Sequence, residues 1–232
     1  MISVRKAQDR GHFDFGWLKT WHSFSFGEYF DPQHHGFRNL RVINEDVVAP
    51  GHGFPMHPHR DMEIITYVMK GALEHRDSLG NGDIIRPGDV QRMSAGSGIR
   101  HSEANPMPGE ATHLYQIWIL PSQRGIAPGY EQQKLPFEDR ANRLKLVAAP
   151  KGEGATVSIS ADARLYAANL DAGKALSLDL AKGRHAWLQV AHGEVTLNGH
   201  PLQTSDGAAV SDTARLEIRA ARDAEILLFD LA

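Results

Sequence analysis

The stretch that decides the fold runs from Gly51 to Gly71, GHGFPMHPHRDMEIITYVMKG, and it has a counterpart from Gly96 to Asn105, GSGIRHSEAN. Each places two potential metal ligands two residues apart: His57 and His59 in the first, His101 and Glu103 in the second. Along a β-strand, residues i and i+2 share a face, so each pair can aim both side chains at one point inside a barrel. Two strands thereby offer four ligands to one ion. Imidazole with carboxylate suits first-row divalent metals such as Fe, Mn, Co, Ni, Cu or Zn, and a chain with no cysteine has no thiolate alternative. Among 13 histidines some are ordinary strand or surface residues, but the two pairs together point to a metal site.

Composition bounds the rest. A chain of 232 residues can form one large β domain or two small ones with a proper core. A formal net charge of −3 and a pI near 6.5 argue against a phosphate-backbone binder, so nucleic acid is not the expected partner. No apolar run is long enough to span a bilayer, and the N-terminal MISVRKAQDRGHF lacks the apolar centre of a secretory signal. With no cysteine to form a disulfide, the cytoplasm is the expected location.

Outward from the two motifs, strands and turns alternate. Upstream, GWLKTWHSFSFGEYFDP (Gly16 to Pro32) is dense in aromatics, and the alternation in WHSFSF predicts a strand with His22, Phe24 and Phe26 on one face. Core packing is expected there, with His22 a pocket candidate. LRVINEDVVAP predicts a strand closed by Pro50, and Leu79-Gly80-Asn81-Gly82 a hairpin turn, for which His75 and Asp77 read as a stabilising pair. The strand from Thr112 to Pro121 alternates His113, Tyr115, Ile117 and Ile119 against Leu114, Gln116, Trp118 and Leu120. Trp118 reads as packing, and His113 as a residue that reaches toward the site to orient a ligand.

A polar, turn-rich connection from Ser122 to Leu135 then leads into a second series of short strands, RLKLVAAP to AEILLFDLA. The expected architecture is therefore all-β, two tandem antiparallel β-barrels of jelly-roll type with few short helices. The first spans 1–125 and carries the metal site. The second, 126–232, has too few histidines to rebuild that site and reads as structural, with no metal.

These residues resemble the cupin motifs. Gly51, His57, His59, Glu63 and Gly71 match the first, and Gly98, His101 and Asn105 the second, with Gly96 where that motif has Pro. More narrowly, WHSFSFGEYFDP, HPHRDMEIITYV, MSAGSGIRHSEAN and HLYQIWILP look like the pirin-like bicupins, which include bacterial quercetin 2,3-dioxygenases. That resemblance implies one divalent metal, iron foremost, held by His57, His59, His101 and Glu103. Many cupins take their carboxylate ligand at the position of Glu63, and parity alone leaves both carboxylates open. The pirin-like pattern selects Glu103 and leaves Glu63 as a hydrogen-bonding neighbour, with Asn105 fixing its loop. The implied activity is a dioxygenase that opens a flavonol ring with dioxygen and releases carbon monoxide, with Glu103 as general base. The alternative from another class is a metal-binding regulatory module that recognises a partner without turnover. Two packed barrels in one chain are compatible with a monomer.

Overall fold

Residues that alternate in polarity between Gly and Pro turns become antiparallel strands along the whole chain. The computed structural model describes residues 1–232, and its one α-helix is the short Phe137–Arg140 segment. The first half forms two sheets. A seven-stranded sheet carries, in order, Gly129–Lys134, Asp89–Ser94, Glu63–Lys70, Thr112–Ile119, Leu40–Val48, Leu18–His22 and Gly11–Asp14. Facing it is a four-stranded sheet of Gly53–His59, Ile99–Ala104, Leu73–Asp77 and Gly82–Ile85.

The second half repeats the plan. Its seven-stranded sheet runs Ile2–Arg5, Gly207–Val210, His185–His192, Ala224–Leu231, Ala163–Leu170, Lys145–Ala149 and Val157–Ser158. Its four-stranded sheet runs Ala175–Asp179, Arg215–Ala220, Glu194–Leu197 and His200–Gln203. This is a two-domain cupin-type fold, but the sheets do not close into the barrels the sequence led us to expect. One reason is local: the edge strand Gly53–His59 contains Pro55 and Pro58, which have no N–H with which to extend a ladder.

Sheet membership also crosses the expected division at residue 125. Ile2–Arg5 pairs with Gly207–Val210 of the second half, and Gly129–Lys134 pairs with Asp89–Ser94 of the first. The halves are further joined by a core in which the two large sheets pack together. It includes Phe24, Ile43 and Ile65 from one half and Leu165, Trp187 and Phe229 from the other. Each such side chain contributes about 1.5–3 kcal/mol by leaving water. Across this interface Arg140 donates to the Tyr67 hydroxyl at 2.7 Å, and both contact the Glu225 carboxylate.

The expected strand through WHSFSF stops at His22. Beyond it Ser23 N–H bonds to Ile43 O and Ser25 N–H to His34 O, so the chain leaves the sheet and the alternation no longer sorts side chains by face. Phe24 enters the joint core, 4.8 Å from Trp187, whereas Phe26 turns to the cavity of the first half.

Candidate metal centre

His57 and His101 are brought together by pairing. The strands Gly53–His59 and Ile99–Ala104 are antiparallel neighbours in which His101 lies directly opposite His57. Their closeness depends on Gly53: a Cβ there would stand 2.2 Å from the Glu103 carbonyl oxygen. Between His101 and Glu103 the register shifts, so Glu103 faces Phe54 and the extra residue is accommodated around Pro55. Gly96 has a comparable reason. Its φ is +46°, and a Cβ would meet the Ile126 carbonyl oxygen at 2.2 Å, so the proline common at this motif position has no room.

The imidazoles of His57, His59 and His101 converge, with ring centroids 4.4–4.8 Å apart and one ligand nitrogen from each within 4.8 Å of the others. His57 Nδ1 sits 2.8 Å from Pro55 O, which fixes Nδ1 as the protonated nitrogen and leaves Nε2 as the donor atom. His101 Nε2 is buried with no hydrogen-bond partner. Burial, reinforced by repulsion from His57, His59 and His75, lowers the His101 pKa to about 2, and burial lowers that of His59 to about 4. These rings are thus held neutral with their lone pairs available, the state a metal ligand needs. An orphaned buried nitrogen at the convergence of three imidazoles fits a divalent ion.

Glu103 lies deeper. Its Oε1 accepts a 2.7 Å bond from Gln116 Nε2, and Gln116 Oε1 accepts one from Thr66 Oγ1. Burial raises the Glu103 carboxyl to about 7, with the charge of Asp46 adding to the effect and Gln116 opposing it. A carboxylate oxygen of Glu103 groups with His101 and His75, so the acid adjoins the imidazole trio through His101.

Two residues that read from the sequence as a member of a turn pair and as packing adjoin the site. His75 is fully buried on the Leu73–Asp77 strand, its Nδ1 3.3 Å from His101 Nδ1 and its Nε2 3.3 Å from Asp77 Oδ2. A metal held through His101 Nε2 would leave its Nδ1–H to donate to His75, whose Nε2–H would donate in turn to Asp77. The available signal was the spacing of His75 and Asp77, the same i, i+2 pattern as the ligands. Asp77 also stabilises the turn, where its Oδ1 accepts from Leu79 N–H and Asn81 N–H. The second residue is Trp118, whose indole stands edge-on to His59 at 4.8 Å and lines the cavity rather than serving as packing alone.

Glu63 and His113 lie away from the cavity, and Asn105 fixes its loop. Glu63 is fully buried, but it accepts from Ser94 Oγ at 2.8 Å and does not line the cavity. His57, His59 and Glu63 would share a face on one continuous strand, but the chain breaks at Arg60–Met62, with Asp61 at φ +50°, and resumes in the other sheet. His113 points away from the site and pairs with Glu45 at 3.0 Å; its alternation with Gln116 already separated the two faces. Asn105 donates to Val48 O and Glu110 O and accepts from Met107 N–H, bonds that hold the loop.

Beside the histidines opens a cavity of about 390 Å³, walled by Phe26, Phe54, Ile64 and Trp118. This volume lies within the range of small-molecule sites. Both clusters of potential metal ligands lie in this first half. No helix is long and apolar enough to cross a membrane.

Comparison with known proteins shows the family. The sequence model of the Pirin family matches residues 3–119, and that of the quercetinase C-terminal cupin domain matches residues 146–231. The quercetin 2,3-dioxygenase of Escherichia coli K12 is 48% identical over 231 residues, covering 100% of this chain and 99% of that protein. A pirin-like protein of Caulobacter vibrioides is 46% identical over 233 residues, with 100% of both chains covered. Among solved structures, the bacterial pirin YhhW of Escherichia coli in complex with nickel(II) superimposes with a TM-score of 0.95 at 47% identity, covering 100% of this chain and 99% of that one. The chain belongs to the pirin family.

Proposed function

We propose that this pirin-family chain is a metal-dependent dioxygenase of the quercetin 2,3-dioxygenase type, acting on a flavonol-like aromatic with dioxygen and releasing carbon monoxide. The observation that carries the reading is the convergence of His57, His59 and His101, with the orphaned His101 Nε2, at the wall of a largely apolar cavity of about 390 Å³. Glu103 would complete the ligand set. Bound there, a divalent ion supplies a Lewis acid that lowers the pKa of a substrate hydroxyl and a centre for dioxygen chemistry. Iron is our first choice of metal, and the nickel complex of the relative YhhW supports a site tolerant of several ions.

The protein's own residues supply the remainder. Gln116 fixes one oxygen of Glu103, so the carboxylate has a defined position from which to take the hydroxyl proton. Phe26, Phe54, Ile64 and Trp118 exclude water and accept a flat ring system. Under this reading the first domain, 1–125, carries catalysis, and 126–232 is its structural counterpart in a cytoplasmic monomer.

The test combines elemental analysis of the purified protein with an anaerobic-to-aerobic quercetin assay that follows flavonol absorbance and carbon monoxide. Metal-dependent turnover, lost in a Glu103→Ala variant that retains its ion, is the expected result. Stoichiometric metal with no turnover across several reconstituted ions would overturn it in favour of a metal-dependent binding module.

A further inference from the structure

The cavity beside the histidines shares part of its wall with a second chamber. Phe26 and Phe54, with Asn44 and Asp46, wall both, and the second chamber, of about 230 Å³, reaches Phe13, Leu18 and His22. A polar row runs across the sheet toward it. Thr66, Gln116, Asn44 and His22 occupy directly opposed positions on four adjacent strands, and Thr20 opposes Asp46 in the neighbouring row. Such opposed side chains lie within about 5.5 Å of each other at Cβ.

The end of the row nearest the metal ligands is satisfied, since Thr66 donates to Gln116 and Gln116 to Glu103. The far end is not. Asn44 Oδ1, Asp46 Oδ1 and His22 Nδ1 are buried without a hydrogen-bond partner, in residues only 4%, 4% and 6% exposed. Each unpaired buried group costs about 1–3 kcal/mol, and native proteins keep few of them. Three at one chamber, among aromatic walls, mark a place prepared for a ligand.

We propose that this second chamber is a subsite for the pendant ring of the substrate, and that Asn44 and Asp46 accept hydrogen bonds from that ring's hydroxyl groups. The inference rests on the flavonol reading and adds its specificity element: a neutral polyphenol rather than an aromatic acid. Two carbonyl-type acceptors call for donors, which phenols supply, and a carboxylate substituent would meet Asp46. Burial lowers the His22 pKa to about 4, so no imidazolium stands ready to welcome an anion. Asp46, raised to about 7 by burial and the neighbouring Glu45 charge, keeps an acceptor oxygen in either protonation state.

The test is anaerobic equilibrium binding of quercetin, kaempferol and galangin, which carry two, one and no hydroxyls on the pendant ring, to the metal-loaded protein. We expect affinity to fall up to about tenfold for each hydroxyl removed. Asn44→Ala and Asp46→Ala should flatten that series, while Asp46→Asn, which keeps an acceptor oxygen, should retain most of it. Equal affinities in the unmodified protein, or an unchanged series in both alanine variants, would overturn the proposal. If either alanine variant fails to fold, the unmodified protein's series still decides. Admitting oxygen to the same samples separates the two readings. Discrimination without turnover leaves the subsite standing and removes the dioxygenase, and turnover without discrimination does the reverse.

Discussion

The two halves share a plan of a seven-stranded sheet over a four-stranded one, yet their interiors differ. Between the sheets of the second half, 17 buried residues including Leu188, Leu216, Ile226 and Leu228 form one continuous apolar core. In the first half the corresponding space holds two small clusters, of six and four residues, separated by the histidines and their cavity. A hollow domain forgoes packing enthalpy and buries polar groups, both costly. The joint core and the exchanged strands Ile2–Arg5 and Gly129–Lys134 tie it to a solid partner.

The sharpest way to probe the hollow half is to remove a ligand. His101→Ala should lower metal affinity more than about 100-fold and abolish flavonol turnover, while circular dichroism and thermal unfolding show the fold retained. A collapse of the fold instead would mean that the histidines are core residues and the contrast between halves is false.

Packing tests come next. Leu228→Ala in the solid half should cost about 3 kcal/mol, because no neighbouring space exists for the lost side chain to share. Ile64→Ala, at the cavity wall, should cost about 2 kcal/mol or less, since it enlarges a void already present. Equal losses in denaturant unfolding would show the two interiors to be equally well packed.

The polar ties of the first half should respond to acid. Glu45 forms an ion pair with Arg10 at 2.9 Å and accepts from His113 at 3.0 Å. Burial alone would raise its carboxyl, but His113 and Arg10 outweigh burial and hold it at about 2. Because the folded pKa lies below the usual 4.5, the stabilisation is complete above about pH 5 and fades as pH falls toward 2. Glu45→Gln should cost about 3 kcal/mol at neutral pH, by leaving Arg10 buried and unpaired, and should flatten the acid limb of the stability profile. An unaltered limb would assign acid sensitivity to other carboxylates.

The smallest expected effect concerns His75. His75→Ala should weaken metal binding about 10- to 100-fold without removing a ligand, since His101 loses the partner that orients its ring. Competition with a chelator measures this directly. No change would reduce His75 to a filler of the hollow half.

Much of this was legible in the residues. The spacing of His57, His59, His101 and Glu103 placed the two pairs on strands, because the two-residue period of β-structure is a local property that neighbouring side chains reveal. Turn chemistry at Gly71 and Leu79 to Gly82 marked strand ends for the same reason. Pairing across the chain is not local. The opposition of His57 to His101, the removal of Glu63 to another sheet after the break at Asp61, and the meeting of His75 with His101 all depend on which strands become neighbours. The sequence alone therefore determined the strand content, the candidate ligand types and the family. Tertiary structure decided which carboxylate adjoins the histidines, which half stays hollow and where unpaired acceptors line its cavity, since those follow from long-range packing that no short stretch of residues encodes.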